Sequence, residues 1–284
     1  MTGPRVSVVV TLLAALVLAV LPSRALADDR VTPEPSVQPL LSYRERGCTE
    51  IAYERGGLAS VVRPLVPDRF ALQDFPGVPA GGPPRVYLAL NEVTCDRGSF
   101  PGRGDQRGPY TFLIVSAYVS ASEGRQRDGA YVLFYATENR TQLEALRRLG
   151  WPVRALNRRT TTQITRDTSG GVLGASLHVV GRDWNHDLSF IATGLPTPVE
   201  PTTSEYYRDT AAGHLTLCYA NQVSVGLALY SGDLRGTAFA TVAYVPPLFT
   251  GFPGDLVVGG WDATVTTGDC PTSTTRARPP LAHS

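Results

Sequence analysis

Residues 146–156 read LRRLGWPVRAL, and the fold turns on how that run is interpreted. Just upstream, Thr141 and Glu144 stand in the T-x-x-E spacing of a capping box at a helix N-terminus. Leu143, Leu146 and Leu149 recur every third residue and form one apolar stripe. Gly150 is placed to end the helix in a left-handed conformation, and Trp151-Pro152 cannot continue it. The pattern predicts a helix over 141–149, a stop, and a constrained turn. Its leucines face a sheet, and the turn carrying Val153 and Arg154 is fixed relative to that sheet.

Most of the surrounding chain reads as β. RVYLALNEV (85–93) alternates, with Val86, Leu88 and Leu90 on one face, and YTFLIVSAYV (110–119) is nearly continuous apolar sequence, as in a strand covered on both sides. AYVLFYAT (130–137) is rich in aromatic and β-branched residues. TTQITRDTSGGVLGASLHVV (161–180) places turn residues Asp167 to Gly171 between two strand-like runs, which predicts a hairpin. LSFIATG (188–194), HLTLCYA (214–220), VSVGLALYS (223–231), GTAFATVAYV (236–245) and DLVVGGWDATV (255–265) complete about ten strands, enough for a large closed or twisted sheet.

The 284 residues are 43% hydrophobic and 18% charged, and the net charge of +1 gives no electrostatic case for nucleic acid or an anionic membrane surface. Arg5, the apolar run VSVVVTLLAALVLAVL and the small-x-small site Ala25-Leu26-Ala27 read as a secretion signal cleaved near Ala27. The competing reading, a retained membrane anchor, needs a longer span. The expected organisation is a signal peptide over 1–27, a disordered leader over 28–42, one domain over 43–270 and a disordered tail over 271–284. Cys48, Cys95, Cys218 and Cys270 are even in number and contain no C-x-x-C pair, which favours disulfides over zinc. Three connectivities are open; Cys48–Cys95 with Cys218–Cys270 closes the shortest loops.

RPLVPDRFAL (63–72), a strand, GPYTFLIVSAYV (108–119) and then GAYVLFYATENRTQLEALRRLGWPVRAL (129–156) follow one another in an order that resembles the acetoacetate decarboxylase family. The resemblance runs over residues 50–250. It implies a mainly β (α+β) fold, a cone-shaped β-barrel with one or a few short helices, enclosing a mostly apolar pocket. In that family the residue after the Gly-aromatic-Pro turn is a lysine that forms an imine with a keto acid, and a second basic residue beside it lowers its pKa. Carried over, the nucleophile falls on Val153 and its basic neighbour on Arg154. The family's glutamate falls at Phe112 or its surroundings, where nothing is acidic. Its substrate-facing arginine falls at or beside Arg55. The chain contains no lysine at all, which a GC-rich coding bias explains, and so it has no side-chain amine to form an imine.

The expectation is therefore a secreted acetoacetate decarboxylase-like protein that is not a Schiff-base decarboxylase. It would bind a small organic acid or lipid-like carboxylate in a pocket lined by Tyr110, Phe112, Trp151 and Val153, with Arg55 or Arg154 pairing the carboxylate. No cofactor, metal, nucleic-acid partner or stable membrane anchor is expected, and the oligomeric state is left open. Two alternatives stand beside it. One is an enzyme using the cluster Asp183 to Asp187, which also reads as a polar inter-strand loop. The other is a disulfide-stabilised structural protein with a filled interior. His178 and His214 read as surface or core histidines and His283 lies in the tail. The Arg-Gly-Asp tripeptide at 103–105 reads as a glycine-rich loop, and Asn139-Arg140-Thr141 is a glycosylation sequon whose threonine the capping box occupies.

Overall fold

A computed structural model describes residues 41–76, 81–101, 104–121, 129–156, 160–180, 185–199, 204–210, 213–238 and 252–268. The signal peptide, nearly all of the leader, the tail and Cys270 lie outside these residues. The chain enters on β1 (Ser42–Leu58), α1 (Ala59–Val62), a 3-10 turn (Arg63–Leu65) and β2 (Phe70–Leu72). β3 (Arg85–Phe100), β4 (Gly104–Ala121) and β5 (Gly129–Thr137) lead into α2 (Arg140–Arg148) and the short β6 (Val153–Ala155). There follow β7 (Thr160–Arg166), β8 (Val172–Val180), β9 (Asn185–Ala192), β10 (Thr197–Pro198), β11 (Ser204–Thr210), β12 (Gly213–Ala238) and β13 (Phe252–Thr267). All thirteen strands join one sheet.

That sheet closes on itself. β11 pairs in parallel with β5 and antiparallel with β12, so β11, β5, β4, β3, β1, β13 and β12 form a closed ring of seven strands. β9, β8 and β7 continue outward from β12 as a meander. The fold is the mainly β barrel with few helices that the sequence led us to expect.

Closure gives each strand an inner and an outer face, because successive side chains point to opposite sides. The inner face is identified by contacts between strands that are not neighbours. The hydroxyl of Tyr43 on β1 lies 3.3 Å from that of Tyr219 on β12, which in turn lies 3.4 Å from that of Tyr135 on β5. The outer face carries a separate apolar core. Ile51 and Tyr53 of β1, Val86, Leu88 and Leu90 of β3 and Leu113 and Val115 of β4 share one buried cluster with Leu177, Leu188 and Phe190 of β8 and β9. The meander thus covers the barrel wall, and β4 is buried on both sides as its unbroken apolar run requires.

Several local expectations change. HLTLCYA and VSVGLALYS are one strand, β12, whose two bulges let it bend without breaking. Residues 236–238 of the run GTAFATVAYV end β12, and the rest lie outside the described residues. Gly104 and Asp105 open β4, so the Arg-Gly-Asp stretch is in part strand. The predicted hairpin at Asp167 is present: Asp167 Oδ1 accepts from the backbone N–H groups of Ser169 and Gly171, each at 2.8 Å.

The N-cap lies two residues earlier than the capping box implied. Asn139 is the N-cap, its Oδ1 accepting from the Gln142 N–H at 3.0 Å. It is fully buried, which leaves the sequon asparagine no free surface. The helix stop is as expected. Gly150 has φ +83°, its N–H donates to Arg147 O, and the Trp151 N–H donates to Leu146 O, the paired bonds of a Schellman ending. Leu146 and Leu149 are buried against the barrel. Replacing the cap by Asn139→Ala should lower unfolding stability by about 1 kcal/mol. Thr141→Ala should cost much less, and denaturant titration of the two variants distinguishes the caps.

Candidate functional site

A single extra residue in β1 decides what faces the barrel interior. Along the pairing with β13, Glu45 lies opposite Ala263 and Cys48 opposite Trp261, so β1 spends three residues where β13 spends two. Gly47 takes up the bulge at φ +62°, a conformation that glycine adopts without strain, and its N–H donates to Asp262 Oδ1 at 2.8 Å. In an unbroken strand Glu45 and Cys48 would point to opposite faces. The bulge turns Tyr43 and Glu45 onto the same inner face as Cys48, Glu50 and Glu54. Cys48 is disulfide-bonded to Cys95 directly across on β3, which pins the strand at this point.

Glu45 is fully buried. Its Oε1 accepts from Gln142 Nε2 of α2 at 2.9 Å, and the same amide nitrogen lies 3.4 Å from the Tyr43 hydroxyl. Burial pushes the Glu45 carboxyl up to about 8, against the opposing effects of Gln142 and Tyr110. Tyr110 is near enough to steady the carboxylate, but neither its hydroxyl nor Glu45 Oε2 has a partner in hydrogen-bond geometry. Gly98, opposite Glu45, makes this approach possible: a Cβ there would sit 2.8 Å from the Tyr110 hydroxyl. Gln142 Oε1 and Trp151 Nε1 are also buried without a hydrogen-bond partner.

The same inner face of β1 continues as an acidic stripe. Glu50 accepts from Asn91 Nδ2 at 2.5 Å and from Trp261 Nε1 at 2.8 Å, and Glu54 accepts from the Tyr118 hydroxyl at 2.7 Å. Burial raises the Glu50 carboxyl, and the neighbouring charge of Glu54 adds to the effect. From the far wall, Tyr206 of β11 is raised by burial and then by Glu50, Glu54 and Glu45. Glu50 and Tyr206 nevertheless keep part of their surface accessible.

The residues singled out from the sequence divide between the two faces. Tyr110, Phe112, Trp151 and Val153 meet in one inner cluster with Tyr135. Val153 lies in parallel register with Tyr135, and the Phe112 and Tyr135 rings stack at 5.8 Å. Arg55 shares the outer face with Ile51 and Tyr53; burial, and after it the charge of Arg85, lower its guanidinium to about 10. Arg154 also turns outward, its guanidinium 5.9 Å from the Phe134 ring centre. Neither arginine joins the cluster around Val153. An acid does stand in this interior, but it is Glu45 of β1 and not a residue of the strand of Phe112. Sequence spacing gave no hint of Glu45, because its facing depends on the bulge.

Other candidates contribute less. Asp183 and Trp184 lie outside the described residues, and Asn185 and His186 are described only as backbone of β9. Asp187 is exposed and bonds His178 across the β8–β9 ladder. His214 is 3.2 Å from Asp209, which Arg69 also contacts, so it ties the β11–β12 hairpin. Glu45, Cys48 and Cys95 bring potential ligand atoms together, but both sulfurs are committed to the disulfide. Cys218 is also disulfide-bonded.

No family profile matches the chain, and no curated protein matches it. Solved structures do, the following three among them. An acetoacetate decarboxylase-like enzyme from Sphingomonas wittichii matches with a TM-score of 0.53 at 10% identity, covering 85% of this chain and 98% of that one. An acetoacetate decarboxylase matches at 0.52 and 11%, covering 79% and 86%. The enduracididine biosynthesis enzyme MppR, complexed with pyruvate, matches at 0.51 and 12%, covering 80% and 88%. The chain has the acetoacetate decarboxylase-like fold. At such identity the likeness establishes the architecture alone, and residue roles have to come from this barrel's own interior.

The raised carboxyl has a measurable consequence. Glu45 titrates at about 8 when folded and near the ordinary carboxylate value when unfolded, so its favourable contribution is complete at acidic pH. It is lost progressively as pH rises through the interval between those two values. Glu45→Gln should flatten that part of the stability–pH profile, as read by urea midpoints across the interval.

Proposed function

We propose that this protein holds a small organic molecule non-covalently inside the barrel beside Val153, outside the cytoplasm, and carries out no imine chemistry. The observation that carries this reading is the pair Val153 and Glu45. An apolar side chain occupies the position that the resemblance assigns to the nucleophilic lysine, and an acid held largely neutral by burial stands in the same interior. Imine formation requires an unprotonated amine, and the chain has no lysine to supply one. Non-covalent binding needs only shape and a few convergent polar groups, which Glu45, Gln142, Tyr110 and Trp151 provide. The location outside the cytoplasm rests on the signal-like N-terminus and on the Cys48–Cys95 bridge, which suits an oxidising compartment.

A carboxylate ligand, the first expectation, depended on Arg55 or Arg154 facing inward. With both on the outer wall, the interior offers carboxyl groups in place of cations, and the reading no longer favours an acid.

Two measurements test this. Borohydride reduction in the presence of pyruvate should leave the mass of the wild-type protein unchanged, whereas Val153→Lys should acquire the reduced adduct, more readily as pH rises. A labelled wild type would defeat the non-covalent reading. A thermal-shift screen of small amines, alcohols and acids should raise the melting temperature for at least one class, by an amount that grows with ligand concentration. A melting temperature indifferent to every class would leave a filled structural barrel as the better description.

A further inference from the structure

The interior is unusually rich in acceptors. Glu45, Glu50 and Glu54 line one inner stripe of β1, and no arginine or histidine among the described residues forms an ion pair with Glu45 or Glu50. Two oxygen atoms, Glu45 Oε2 and Gln142 Oε1, are buried without a partner in hydrogen-bond geometry, although the Tyr110 hydroxyl is near enough to steady the Glu45 carboxylate. Both belong to side chains with no accessible surface, Glu45 on the barrel wall and Gln142 on the helix that closes over it. A buried acceptor without a donor is costly, and a carboxyl that could ionise multiplies the cost.

Aromatic rings complete the walls. The ring pairs Tyr43–Phe100, Tyr110–Phe112, Tyr206–Tyr219 and Tyr219–Trp261 lie with centres between 4.9 and 6.5 Å apart around the same interior. Tyrosine and tryptophan faces attract organic cations, most strongly where water is excluded. Carboxyl groups, unmatched acceptors and aromatic faces in one enclosure share one complement: a group that carries positive charge, donates several hydrogen bonds and has an apolar body.

We propose that the barrel interior binds an organic ammonium ion, a primary amine on a short alkyl chain, with its N–H groups donated to Glu45 and Gln142 and its chain lying along the tyrosine wall toward Glu50. This deepens the non-covalent reading above and rests on it, adding the chemical class of the ligand. It also explains the placement of the acids. A neutral Glu45 is tolerated by the protein alone, and the arriving ammonium lets it ionise by bringing a matched charge to it. Binding therefore releases a proton. The groups facing Glu45 are Tyr43 from its own strand, Tyr110 from β4, Tyr135 from β5, Tyr219 from β12 and Gln142 from α2. Burial holds the four phenols in the neutral form, so they do not supply that proton.

The test uses the full chain and three probes of matched length: butan-1-amine, butan-1-ol and butanoate. Isothermal titration calorimetry at neutral pH should detect the amine and neither of the others. Repeating it in buffers of different ionisation enthalpy should show release of about one proton per amine bound. Glu45→Gln should weaken amine binding about tenfold or more, because a charge-assisted hydrogen bond is lost. Should that variant fail to fold, Glu50→Gln, at a partly accessible position, should give a smaller loss in the same direction. Asp68→Asn, which removes an exposed carboxylate on the outside, should leave binding unchanged. If the alcohol or butanoate binds and the amine does not, the ammonium assignment is overturned while the non-covalent reading stands. Amine binding unaffected by both glutamate substitutions overturns the assignment of the contacts. If none of the three binds, the assignment is overturned, and the broader screen decides whether the non-covalent reading falls with it.

Discussion

The pairing of β11 with both β5 and β12 is the constraint on which the rest of this structure depends. A sheet closed in this way exposes no edge within the ring, and it forces half of each strand's side chains into a shared interior. Seven strands leave a narrow interior, so a side chain from one wall meets groups from the opposite wall. That is why the hydroxyls of Tyr43, Tyr135 and Tyr219 converge although their strands are far apart in the chain. It is also why the character of the interior cannot be inferred from one strand alone. The outer face meets a different demand: it packs against the meander of β7 to β9 and carries the larger apolar core.

Closure explains which features could be read in the sequence. The helix stop at Gly150 and the hairpin at Asp167 are local events, specified by a few residues whose conformational preferences dominate. β4 was legible because both its faces are apolar. β1 was not, since apolar–polar alternation reports a strand whose buried face is apolar, and the buried face of β1 is in part acidic while all but the last of its exposed positions lie in the N-terminal half. Its inner positions include Glu45, Glu50 and Glu54, its outer ones Ile51 and Tyr53, and the bulge at Gly47 shifts the phase between them. A run reading SYRERGCTE therefore does not announce itself as a strand until its partner strands are known. β11, with the sequence SEYYRDT, was hidden in the same way, since Tyr206 and Tyr207 point to opposite sides.

The inner carboxyl groups are expensive to retain. Taking an ionised carboxylate out of water costs several kcal/mol even after the protein relaxes, and only matched partners recover it. Here the recovery is partial: Glu50 accepts two hydrogen bonds and Glu54 at least one, while Glu45 keeps one oxygen without a partner in hydrogen-bond geometry. Glu45 avoids most of the cost by staying protonated at neutral pH. A stripe of apolar residues would stabilise the barrel better. Acids kept in such a position point to a role for the interior beyond packing, as with other strongly shifted groups in enclosed sites.

The same electrostatics bear on how far this interior stands from imine chemistry. A reactive lysine needs its amine unprotonated near neutral pH, which desolvation and a neighbouring cation achieve together. Arg154, the candidate cation, faces Phe134 on the outside of the wall and lies beyond the inner cluster. The ionisable groups that do share the interior are tyrosines and carboxyls, and a carboxyl near an amine favours the ammonium form. Placing a lysine at Val153 would restore the nitrogen without restoring the field that makes it nucleophilic. The barrel differs from an imine-forming site in the sign of its surroundings as well as in one side chain, and an interior of that sign is suited to holding a positive charge in place.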